Sequence, residues 1–221
     1  MKKIILILIA VAVSAGGGLA GYSYQQKQKD DKFLSTNPQT KEAYELVKKR
    51  EGQLKKDKND YDAYMSLGFN WKGIGEVAKN DKYLWKSVKA YNAVIRKWGN
   101  KAYLPFLNQA NVYISLKEYE RAEDDLKIAL EIDVGEQNLY IALADLYKNY
   151  MNKDNKEIKA VYEKGLKTVI GRGNLVVSYA AYLRDLGEYK EAIKYYKMLE
   201  QAYPNIPTYS SMVKDLESKI Q

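Results

Sequence analysis

Apolar residues recur three and four positions apart through the central stretch of this chain, from Tyr103 to Val134. Phe106, Ala110 and Tyr113, closed by Leu116, mark one helical face. Ala122, Leu126, Ala129, Leu130 and Ile132 mark a second, after a polar turn at Lys117-Glu118. These are helical spacings, and each face needs a neighbour to cover it. The same pattern returns at Tyr64, Leu67, Gly68 and Trp71, at Tyr140, Leu143, Ala144 and Tyr147, and at Val176, Tyr179, Ala180 and Leu183. The leading positions 64, 106, 140 and 176 lie 42, 34 and 36 residues apart. One site reads Gly68, Ala110, Ala144 and Ala180, small in every copy, as two helices in near contact require.

This spacing resembles the tetratricopeptide repeat, whose unit of about 34 residues runs W-x₂-L-G-x₂-Y…A-x₃-F…P. Phe106 takes the tryptophan place, Gln109-Ala110 the leucine-glycine pair, Tyr113 the tyrosine, and Ala122 and Leu126 the later pair. Pro204 is the only proline at the expected end, where Val134 stands in the central unit. The resemblance implies an all-α fold, a right-handed α-solenoid of about four hairpins near 61–102, 103–136, 137–172 and 173–206. A helix from about Gln39 to Lys56 and a capping helix over 207–221 flank them, so the array covers 39–221. Two departures carry consequences. Seven extra residues between Trp71 and Ser87, with Gly73 and Gly75, predict a lengthened hairpin or a protruding turn. Ile158 stands where a small residue is expected and predicts a wider helix crossing.

Ahead of the repeats, Ile4 to Tyr22 carry no charge and follow Lys2 and Lys3. Nineteen such residues are long enough to cross a bilayer, so 1–23 is read as an uncleaved transmembrane anchor. A cleaved signal peptide, leaving a secreted protein, is the alternative. The polar stretch 24–38 reads as a linker. Counting basic residues favours a cytoplasmic C-terminal side, whereas the short basic start is that of an export signal. The expected location is the cell membrane, single-pass, with the repeats extracytoplasmic.

Chemistry is then a matter of exclusion. The chain holds no Cys and no His, which removes thiol catalysis, His-based triads and the common zinc sites. No enzyme activity, cofactor or metal is expected. The net charge of +8 comes with acidic and basic residues mixed throughout, and without a recognition helix nucleic acid is not expected as a partner. The resemblance implies that the first helices of the hairpins line a groove for a protein or peptide. One turn from the packing positions, that lining comprises Met65, Phe69, Lys72, Leu107, Asn108, Asn111, Ile114, Ile141, Asp145, Lys148, Val177, Ser178, Ala181 and Arg184. Chaperone-binding relatives hold a terminal carboxylate with a Lys, Asn and Arg clamp. Here Met65, Phe69, Asn138 and Ala142 occupy its places, so the clamp is missing. The expected function is a membrane-tethered scaffold supporting assembly of an envelope or membrane complex. The alternative is an accessory module gripping an anionic polymer or lipid surface through the basic helix 48–58.

Overall fold

The computed structural model describes residues 25–99 and 101–220, and every regular element among them is helical. The expected anchor, Ile4 to Tyr22, lies outside the described residues. Among those described, no helix is long and apolar enough to cross a membrane. The chain divides into two compact units, one ending at Ser87 and the other beginning at Val88, within a single helix.

The first unit holds α1 (residues 25–36), α2 (Lys41–Lys56), α3 (Tyr61–Ala78) and the start of α4 (Asp81–Trp98). The stretch 24–38, expected as a polar linker, is instead helical and docked over 25–36. Leu34 of α1 is fully buried, and the Thr40 hydroxyl donates to its carbonyl at 3.1 Å. Asp31 accepts the Tyr44 hydroxyl, and Asp30 pairs with Lys82. Two carboxylates and one leucine dock this helix, which is why its polar composition does not betray the packing. Asn37 turns the chain into α2 by accepting the Gln39 amide on its side chain at 2.9 Å.

The seven-residue insertion lengthens the hairpin and forms no protrusion. Both α3 and α4 run 18 residues, joined at Lys79 and Asn80. Gly75 decides this outcome. A Cβ there would sit 2.7 Å from the Leu84 side chain and 2.9 Å from its backbone nitrogen. The glycine that weakens an isolated helix lets α3 and α4 approach closely in the fold. Further along the pair, the buried Ser87 hydroxyl donates to the Gly68 carbonyl at 2.6 Å.

The second unit holds the rest of α4, then α5 (Leu104–Ser115), α6 (Tyr119–Ile132), α7 (Gln137–Leu146), α8 (Asn155–Thr168), α9 (Gly173–Asp185), α10 (Tyr189–Ala202) and α11 (Pro207–Ser218). Ala110, Ala144 and Ala180 are all fully buried, as near contact of paired helices demands. Pro105 and Pro207 occupy first turns, where no amide hydrogen is missed.

The turn after each first helix is made the same way in three hairpins. A residue with positive φ (Lys79, Lys117, Gly187) lets the next amide reach back to the last turn. The resulting bonds run from Asn80 to Gly75, Glu118 to Tyr113 and Glu188 to Leu183, at 2.9–3.0 Å. The third hairpin departs. A π turn at Tyr147–Met151 extends α7 before Asn152 closes it with φ 50°. This stretch absorbs the two extra residues that separate Tyr147 from Ile158. Ile158 is buried where α8 packs on α7. Beside that crossing lies an open groove of about 570 Å³, lined by Leu130, Val134, Tyr140, Leu143 and Val161 among others.

Candidate partner-binding surface

The first helices α3, α5, α7 and α9 carry the predicted lining, and the two units display it separately. In the first unit, Phe69 is 72% exposed, Met65 is half-buried and Lys72 is held by Glu76 at 2.6 Å. A phenylalanine this bare on a buried-faced helix has no packing role there; the core side of α3 is made by Ala63, Leu67, Trp71 and Ile74.

In the second unit, α5 presents Leu107, Asn108 and Ile114 half-buried and Asn111 exposed. The side-chain amides of Asn108 and Asn111 have no hydrogen-bond partner among the described residues. Ile141, Val177, Ser178 and Ala181 are also half-buried, so each keeps part of its surface in water. The charged members behave differently. Lys148 bonds Asp185 at 3.3 Å and lies over the Tyr182 ring at 5.5 Å. Arg184 reaches the same carboxylate at 2.8 Å, and its guanidinium, with Lys148, holds the Asp185 carboxyl below its usual range. Burial lifts the Asp145 carboxyl, which Lys148 offsets in part. The first unit therefore offers Phe69 and a paired Lys72, and the second offers apolar surface and bare amides with Lys148 and Arg184 already paired.

The basic helix 48–58 is partly spent on the fold as well. Lys48 lies 3.5 Å from Asp31, and Arg50 donates to Ser66 at 3.2 Å and Gln53 at 2.9 Å. Lys55 and Lys56 remain exposed. Sequence reasoning missed a cleft in the first unit, roofed by the α1 segment that it assigned to a linker. Its volume is about 540 Å³, and Trp71, Lys82 and Lys86 are among its walls.

No protein-family model matches this chain, and no curated protein matches it either. Solved structures do. A structure described as "Crystal structure of MamA protein" aligns over 85% of this chain and 90% of its own, at 16% identity and a TM-score of 0.55. A second, "Crystal structure of MamA", aligns over 78% and 87%, at 17% identity and a TM-score of 0.54. A yeast Tom70 structure aligns over 77% of this chain but 42% of its own, with a TM-score of 0.42. Likeness at such identity reports backbone architecture alone. The architecture shared with the MamA structures is the tetratricopeptide-type array of helical hairpins.

Proposed function

We propose that this protein is a non-catalytic scaffold that holds a protein or peptide segment against the first helices of its hairpins, supporting assembly of an envelope or membrane complex. The observation that carries the reading is the exposed apolar and amide surface on those helices, led by Phe69. In the second unit an extended segment would place apolar side chains against Leu107 and Ile141 and offer its backbone to Asn108 and Asn111, while Phe69 is the apolar anchor of the first unit. An aromatic anchor of this kind typically contributes ~2 kcal/mol or more to binding. Phe69→Ala should therefore weaken a captured partner by more than tenfold while circular dichroism and urea unfolding stay unchanged. Affinity purification on the immobilised protein supplies the partner, and calorimetry on the variant decides. Equal affinity for wild type and Phe69→Ala would place the binding surface elsewhere.

The tether belongs to the same proposal. Ile4 to Tyr22 anchors the chain in the cell membrane, with the repeats on the extracytoplasmic side. The protein is then expected to stay with the membrane pellet through an alkaline carbonate wash and to retain Met1. Release into the supernatant, with an N-terminus near Gly16, would show a cleaved signal in its place.

A further inference from the structure

The cleft of the first unit is built around a cation with no counter-ion among the described residues. Trp71 lines it, stacked on Tyr83 with ring centroids 5.7 Å apart and planes 9° from parallel. Tyr44 tilts against the same indole at 6.1 Å. Over this aromatic base stands Lys86, its Nζ 4.0 Å from the Trp71 centroid and 5.3 Å from that of Tyr83. Lys27 and Gln26 of α1, Lys48 and Glu51 of α2, and Lys82 of α4 complete the walls with Asp30 and Asp31.

The ionic groups sort into paired and unpaired. Asp30 takes Lys82, while Asp31 takes Lys48 and the Tyr44 hydroxyl. Lys86 is half-buried and forms no ion pair with any described residue, since no carboxylate comes within 4.0 Å. Burial is the largest influence on its ammonium and holds the pKa below the usual lysine range; Lys82 adds to this, and Asp30, Glu51 and Asp31 offset it only in part. A partly desolvated ammonium that faces an open cleft is stabilised by an anion arriving from outside.

We propose that this cleft is a binding site for a small organic monocarboxylate, whose carboxylate pairs with Lys86. The size of the cleft, about 540 Å³, falls within the usual range for small-molecule sites of roughly 300–1,000 Å³. Four lysines on the walls, Lys27, Lys48, Lys82 and Lys86, face three carboxylates, Asp30, Asp31 and Glu51, so the formal balance of +1 is met by one negative charge and exceeded by the two of a phosphate dianion. The apolar body of the ligand lies along the lysine stems and the edges of Tyr44 and Trp71. This site is distinct from the proposed groove on the first helices, so either can fail without the other.

Calorimetric titration of the full-length protein in detergent with benzoate, acetate and inorganic phosphate tests the assignment. Benzoate should bind saturably, acetate more weakly, and phosphate least. Lys86→Gln should lower benzoate affinity at least tenfold, whereas Lys86→Arg, which keeps a cation over the indole, should retain most of it. Because Lys86 also packs on Trp71, the urea midpoint of each variant separates lost folding from lost binding. At alkaline pH, binding should take up protons, since the arriving carboxylate restores the charge of Lys86. Absence of benzoate binding, or binding unchanged in Lys86→Gln, overturns the site. Phosphate binding as tight as benzoate overturns its selectivity for monocarboxylates.

Discussion

Gly165→Val is expected to cost this protein about 3 kcal/mol or more of stability, as much as a substitution this small can cost a helical core. A Cβ at Gly165 would stand 2.7 Å from Cγ of Tyr140 and 2.7 Å from Cδ2 of Leu175. Neither neighbour can withdraw. Leu175 is fully buried, and the Tyr140 hydroxyl is fixed by the Val134 carbonyl and the Thr168 hydroxyl, each at 3.0 Å. Turning the ring aside breaks both bonds, and inserting atoms into a packed core typically costs about 1–3 kcal/mol before such losses are counted. Gly52 in α2 is the control, since nothing lies within 4 Å of its added Cβ. Gly52→Ala should stabilise by roughly 0.5–1 kcal/mol through helix propensity alone. Urea unfolding followed by circular dichroism reads both. A valine at 165 that leaves the midpoint unmoved would mean that α8 does not approach α7 and α9 this closely.

The second large effect is in pH dependence. Asp125 sits on α6, 9% exposed, with its Oδ2 unpartnered among the described residues. Burial, and to a lesser degree the neighbouring Asp124, push its carboxyl up to about 7 from an ordinary 3.8. The raised value means that the folded chain holds this proton more tightly than the unfolded chain. Its contribution is therefore fully present below the unfolded value near 4 and is lost as pH rises to the folded value near 7. Three units correspond to at most about 4 kcal/mol, and relaxation of water around the exposed edge reduces this. Asp125→Asn has the same shape and no charge to bury. Wild type should be less stable at pH 8 than at pH 5, and the variant should lose most of that difference. Denaturant midpoints at the two pH values check it; parallel pH profiles would remove Asp125 as the cause.

Both effects come from contacts that no local pattern announces. The hairpins are legible because a helix buried on one side writes its period into the chain, as Phe106, Ala110 and Tyr113 do. The small residue at 68, 110, 144 and 180 is legible for a related reason, since near contact excludes size at one fixed place in each unit.

Helix α1 is different. It is docked by Asp30 on Lys82, 52 residues away, and by Asp31 on Tyr44, and such polar pairs leave no period to read. Gly73 and Gly75 look alike in sequence, yet an added Cβ would meet Leu84 at one and nothing at the other. The amino-acid sequence by itself determined the hairpin type, the small contact residues and the absence of thiol and imidazole chemistry, because these depend on local spacing and composition. Only the tertiary structure decided that α1 packs, that Gly75 and Gly165 are contact points, that Asp125 is buried and that Lys86 stands in a cleft with no ion-pair partner among the described residues. Those properties depend on which distant side chains meet, and burial and electrostatics are set by the meeting.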